Sequence, residues 1–193
     1  MAEKPREEGE AFRLVPQAAE ALGLGKVVAY PTEAVYGLGC DPYNEAAVKK
    51  ILSIKQRPEE KGLILIAAHI AQILPFIEEV DAKIWAQVSA KWPGPVTWLL
   101  PVRQSVPKIL TGGYTAIALR VSRHPLVQAL CEAYGGAIVS TSANIQGAMP
   151  ARTYQEVIDQ FSNKVDFILP GTVDLKARPS QIIDALTGKV VRE

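Results

Sequence analysis

Residues 26–42 read KVVAYPTEAVYGLGCDP and set a strand against a loop. Lys26–Tyr30 is apolar after its first residue, rich in valine and closed by tyrosine, which marks a strand that Pro31 stops. The segment from Pro31 to Pro42 is too rich in glycine and proline to be regular structure. Gly37 and Gly39 allow a backbone that comes close to a ligand, and Thr32 and Glu33 stand directly after the strand. A glycine-rich turn that only changes direction is the plainer alternative.

Outward from this stretch the pattern alternates. Upstream, Pro16–Leu22 reads as a short helix with Pro16 in its first turn and Gly23 at its end. Residues 1–13 read as a charged N-terminal tail, and residues 14–193 as the domain. Downstream, Asn44 caps a helix running to Gln56, with Val48, Ile51 and Leu52 on one face. Gly62–Ala68 (GLILIAA) is a continuous apolar run, as in a strand covered on both faces. Helical stretches over Ile70–Ile77 and Asp81–Trp92 lead to a turn at WPGP, residues 92–95. Strands follow at Val96–Val102 and Thr115–Val121, separated by a loop holding Gly112 and Gly113. Pro125–Tyr134 is a helix ended by Gly135 and Gly136. Ala137–Val139 is a short strand that runs into the hydroxyl-rich STSAN. Thr153 and Glu156 form a capping box for a helix to Phe161. Strands at Val165–Leu169 and Gln181–Asp184 complete the set, with Lys189–Val191 pairing back across Thr187-Gly188. Strands and helices mix throughout, so the chain is one α/β or α+β domain with a mixed sheet.

Composition narrows the function classes. The 193 residues carry 21 Lys plus Arg against 20 Asp plus Glu, and 48% are apolar, as in an ordinary globular domain. No stretch reaches the ~20 apolar residues that span a bilayer, and the N-terminus MAEKPREEGE lacks the apolar core of a signal peptide. Cys40 and Cys131 make neither a disulfide framework nor a cysteine-based zinc site. The expectation is a soluble, cytoplasmic protein without structural metal and without a membrane partner. Residues 49–61 (KKILSIKQRPEEK) hold five bases and two acids, a local basic patch in a chain of net charge +1. Phosphate-loop, dinucleotide, zinc-protease and nucleophile-elbow motifs are absent. His69 and His124 lie far apart, and Pro107 breaks the one SxxK match, Ser105–Lys108.

Three groups of residues carry chemistry. Lys55 lies seven residues after Val48 and four after Ile51, in line with the apolar stripe at the helix end, where it can lean into a cleft. Arg57 follows, and two cations there suit a polyphosphate as well as the helix dipole. Ser140, Thr141, Ser142 and Asn144 place four small hydrogen-bonding side chains at a strand's end, a pocket wall or a local turn network. Arg120 sits inside the apolar TAIALRV and needs a partner: Glu33, Asp184, or a ligand carboxylate or phosphate. Together these describe a cleft for an anionic small molecule.

The segments AYPTEAVYGLGCDP, KQRP with KGLILIAA, WPGPVTWLL, ALRVSRHPLV, STSAN and RPSQIIDALTG, in this order over residues 14 to 192, closely resemble the YrdC family of threonylcarbamoyl-adenylate synthases. The resemblance implies a single domain with a twisted mixed sheet and a large concave positive cleft. It implies that L-threonine, bicarbonate and ATP give threonylcarbamoyl-AMP and pyrophosphate. That product serves threonylcarbamoyladenosine formation at position 37 of tRNAs reading codons that begin with A. Lys55 and Arg57 would hold phosphates, with Ser142, Asn144, Arg178 and Ser180 on the ATP side. Thr32, Lys61, Arg120, Ser140 and Thr141 would bind threonine, Arg120 meeting its carboxylate. No side chain would act as a covalent nucleophile, and Mg²⁺ would travel with ATP, held by phosphate and water. The other tRNA threonylcarbamoylation proteins are the implied partners. A non-catalytic tRNA- or double-stranded-RNA-binding module using the same basic face is the alternative, although few aromatics are placed for base stacking.

Overall fold

The computed structural model describes residues 4–192, so residues 1–3 of the expected charged tail lie outside the described residues. Its centre is a nine-stranded mixed sheet. The strands are β1 (Val28–Pro31), β2 (Tyr36–Gly39), β3 (Ile64–Ala67), β4 (Val96–Pro101), β5 (Ala116–Val121), β6 (Ile138–Ser142), β7 (Phe167–Ile168), β8 (Gln181–Asp184) and β9 (Val190–Arg192). Their order across the sheet is β7-β1-β2-β6-β3-β5-β4-β8-β9. The β1–β7, β3–β5 and β4–β8 pairs are parallel and the others antiparallel.

Helices α1 (Lys4–Gly23) and α5 (Pro125–Tyr134) cover one face, packing on Val28, Tyr30, Ile66 and Ile138. The other face buries Leu38, Leu65, Leu119 and Val139 beneath α2 (Glu45–Lys55), α3 (Ala82–Lys91) and α6 (Tyr154–Phe161). Asn44 caps α2 by accepting from the Ala47 amide at 3.0 Å, and Thr153 with Glu156 closes the capping box of α6.

Several elements depart from the sequence expectation. The first helix begins at Lys4 rather than Pro16, and Pro16 lies inside it. An interior proline costs about 3 kcal/mol. Ala11, Val15, Ala18 and Leu22 form a buried stripe against α5, and Val15 and Leu22 alone contribute about 1.5–3 kcal/mol each. The helix therefore runs through residue 13 without a break. Ile70–Ile77 forms two single 3₁₀ turns, Ile70–Gln72 and Leu74–Phe76, with Pro75 in the second. A short helix, α4 (Lys108–Thr111), occupies part of the expected loop before β5.

The largest correction concerns Tyr36–Gly39, expected as irregular and found as an interior strand paired with β1 and β6. Gly39 serves packing rather than a turn, while Gly37, where a Cβ would meet its neighbours only at 3.4 Å or more, lines the cavity described below. A Cβ on Gly39 would stand 2.5 Å from the Val139 carbonyl oxygen and 2.7 Å from the Tyr30 ring. The bare backbone is what lets Tyr30 lie flat across the strand.

From β7 the chain crosses to the far side of the sheet. The residues 169–180 strap travels seven strand positions, about 34 Å if the sheet were flat, and twelve extended residues reach about 40 Å. It is tied down on the way. The Tyr36 hydroxyl donates to Gly171 O at 2.7 Å, the Asp174 amide donates to Glu33 O at 2.8 Å, and Arg152 donates to the carbonyls of Ala34, Asp174 and Ala177.

Candidate active site

Strand register decides which side chains share a face. Ile64 of β3 stands opposite Ala118 of β5 and Ser140 of β6, and Ile66 stands opposite Arg120 and Ile138. With a period of two, Ile64, Ile66, Arg120, Ser140 and Ser142 all point to the α1–α5 side. Where those helices stop covering the sheet, a cavity of about 310 Å³ opens. Thr32, Arg57, Arg120, Ser140, Thr141, Ser142 and Ser180 line it.

Arg120 is 8% exposed and its partner is Glu33, whose Oε2 lies 2.9 Å from Nη2. The other candidate, Asp184, accepts from the amides of Leu186 and Thr187 in the β8–β9 turn. Arg120 Nε donates to Gly94 O at 3.2 Å, so the WPGP turn, whose Trp92–Pro93 peptide is cis, is the second support of the guanidinium. Burial lowers the Arg120 pKa, and the Glu33 charge opposes that shift.

Lys55 does not lean into the cleft. It is 5% exposed, and its ammonium donates to Ser142 O, to Asn144 O at 2.9 Å and to Asn144 Oδ1 at 3.1 Å. Three donors meet three acceptors, so the charge is used to shape the turn after β6. Burial first, then the neighbouring Arg57, holds its pKa down at about 8. Asn144 is also turned inward: its Oδ1 accepts from the Ser142 hydroxyl and its Nδ2 donates to Ile145 O and Ala148 O. Neither Lys55 nor Asn144 lines the cavity.

Arg57 does line it, braced by Lys61 O and Gly62 O. Thr32 Oγ1 donates to Val35 O at 2.7 Å, fixing the loop after β1. Ser180 is buried with its hydroxyl 2.8 Å from that of Thr97, while Arg178 is exposed and outside the cavity lining. Lys61 borders a second cavity of about 610 Å³, walled by Leu99, Leu110, Ala118 and Ile182, which shares Arg57 and Arg192 with the first. A third, of about 1030 Å³, lies beyond Glu33 under the strap.

Arg192 is the residue that sequence reading missed. It stands on β9, donates to Ser180 O at 3.1 Å and lines both of the first two cavities. Burial lowers its pKa first, with Arg57 and Arg120 adding to the effect, so Arg192 feels the charge of both other guanidinium groups. The available signal was an arginine closing an apolar VVR run that pairs back on QIID. No group of three His, Cys, Asp or Glu side chains that could hold a metal ion occurs among the described residues. No helix among them is long and apolar enough to cross a membrane.

Comparison with known proteins places the sequence and the fold in one family. The profile of the Sua5/YciO/YrdC family, described as Telomere recombination, matches residues 20–193. The threonylcarbamoyl-AMP synthase of Methylococcus capsulatus is 49% identical over 175 residues, covering 91% of this chain and 94% of that protein. The crystal structure of P. abyssi Sua5 complexed with L-threonine superposes with a TM-score of 0.84 at 34% identity, over 90% of this chain, which spans 51% of that longer one. E. coli YciO gives the same TM-score at 30% identity, over 94% of this chain and 89% of that one. On profile, identity and fold alike, the chain belongs to the Sua5/YciO/YrdC family.

Proposed function

We infer that the chain is a threonylcarbamoyl-AMP synthase, joining L-threonine, bicarbonate and ATP to give threonylcarbamoyl-AMP and pyrophosphate. The observation that carries this reading is the meeting of Arg57, Arg120 and Arg192 at a small hydroxyl-lined cavity beside a more apolar one. The named relatives at about half identity over nearly the whole chain point the same way.

The chemistry needs alignment more than a nucleophile. The threonine amine attacks the bicarbonate carbon, water leaves, and a carbamate forms. A carbamate oxygen then bonds to the α-phosphorus while the bond from that phosphorus to the bridging oxygen breaks, releasing pyrophosphate. Two anions must approach, and fixed guanidinium groups relieve their repulsion without reorganising. Arg120 meets the threonine carboxylate, with Thr32, Ser140 and Thr141 around it, and Ser180, expected on the ATP side, borders the same cavity. Arg57 and Arg192, at the boundary of the two cavities, take the phosphates, with Lys61 beside them and Ser142 toward the nucleotide. The cavity walled by Leu99, Leu110, Ala118 and Ile182 suits the base. Lys55 and Asn144 act one step back, holding the turn that carries Ser142. Mg²⁺ would accompany ATP, held by its phosphates and water, since the described residues offer no carboxylate cage. The product feeds tRNA threonylcarbamoylation in the cytoplasm, together with the other proteins of that modification.

The test is pyrophosphate release from ATP with threonine and bicarbonate each present or omitted. Release that requires both is expected. ATP left intact under every condition would overturn the reading and favour RNA recognition by the same basic face, checked by salt-dependent tRNA binding.

A further inference from the structure

We propose that Glu33 is the positioning residue of the threonine pocket, its carboxylate holding the Arg120 guanidinium so that Arg120 meets the substrate carboxylate without moving. This rests on the reading of Arg120 as the threonine-carboxylate partner.

Glu33 is gripped from two segments, the end of β5 and the strap. Its Oε1 accepts from the Ser122 hydroxyl at 2.9 Å and the Arg123 amide at 3.2 Å, both just past the end of β5. Its main-chain oxygen accepts from the Asp174 amide of the strap at 2.8 Å. Its Oε2 faces Arg120 Nη2 at 2.9 Å and has no hydrogen-bond partner beyond that ion pair among the described residues. The carboxylate is therefore anchored independently of Arg120. An arginine that swung toward an incoming anion would leave a buried carboxylate oxygen without a partner. With Gly94 O fixing Nε, the guanidinium is held at two points, which leaves the ligand to come to it.

Charge makes the same point with a different observable. Glu33 is the one carboxylate among the described residues in ion-pair contact with any of the three arginines around the cavity. Neutralising it makes the site more cationic while freeing Arg120 to move. Threonine, which needs a placed partner, and ATP, which needs charge, should therefore respond in opposite senses.

The experiment measures kcat and both KM values in E33Q, R120A and the double variant, with E33D as a companion. In E33Q the KM for threonine should rise at least tenfold while the KM for ATP stays level or falls. In the R120A background E33Q should change the threonine KM less than twofold, because the residue through which it acts is gone. E33D keeps the charge but withdraws it from Nη2, so its threonine KM should also rise; this variant decides the matter should E33Q fail to fold. Additive effects, a parallel rise in both KM values, or a normal threonine KM in E33D would each overturn the positioning role. If R120A moved only the ATP dependence, the threonine assignment of Arg120 would fail first and the proposal with it.

Discussion

Lys55 carries its charge inside the protein, and its pH behaviour follows. Burial lowers the folded pKa from the ordinary 10.5 to about 8. Between those values the unfolded chain keeps a proton that the folded chain has lost, so the Lys55 contribution to stability rises with pH across that window. Activity should move the other way. A neutral amine keeps two of the three donors that hold Ser142 and Asn144, so turnover should fall above pH 8. Lys55→Met should lower turnover on the order of 10²-fold and abolish that alkaline limb, read from pyrophosphate release between pH 7 and 10. Denaturant unfolding of the two proteins at pH 7.5 and 9.5 should show the wild-type slope missing in the variant. Arg120→Ala should raise the threonine KM more than the ATP KM, measured by titrating each substrate. Arg120 was legible in the sequence because a charge inside an apolar strand must be compensated. The true acceptors of Lys55 were not, because two of them are main-chain carbonyls.

Elements were legible where periodicity and capping residues were strong. Helices α2 and α6 follow their caps, and β8 keeps its expected bounds. Reading failed where a residue's usual meaning was overridden by its neighbours. Pro16 signals a helix start, but the stripe from Ala11 to Leu22 carries the helix through it. Gly37 and Gly39 signal a turn, but the Tyr30 ring across β2 makes them strand residues. Gly39→Ala should therefore destabilise by about 1–3 kcal/mol, the range for overpacking, although alanine enters strands more readily than glycine. Urea unfolding would check it. An unchanged midpoint would show that β2 can shift away from Val139.

At the scale of the molecule, the strap and the strand order set the site. Ser180 reaches the cavity only because residues 169–180 cross the open face, and Arg152 ties that crossing to Ala34. Arg152→Ala should raise the KM for both substrates several-fold and speed limited proteolysis between residues 172 and 178, with little change in the far-ultraviolet circular dichroism of the sheet. Strand order was the least legible property. Most strands could be found from their own residues, β2 being the exception, but β1 lies between its sequence neighbour β2 and the distant β7, and no local pattern announces a partner so far along the chain.

That same order has a consequence during synthesis. Val28 pairs with Phe167, and Gly37 with Ser142. At 5–20 residues per second, about 7–28 s separate the emergence of the first strand from that of its parallel neighbour. Until β6 emerges both edges of the first hairpin stay unpaired and the Tyr30 ring has only the α1 stripe and Ile66 to pack against, and the β1 edge stays open for the full interval. The nascent chain is thus exposed to chaperone capture or aggregation until most of it has left the ribosome, and a translation stalled before residue 142 would yield a chain with no site at all.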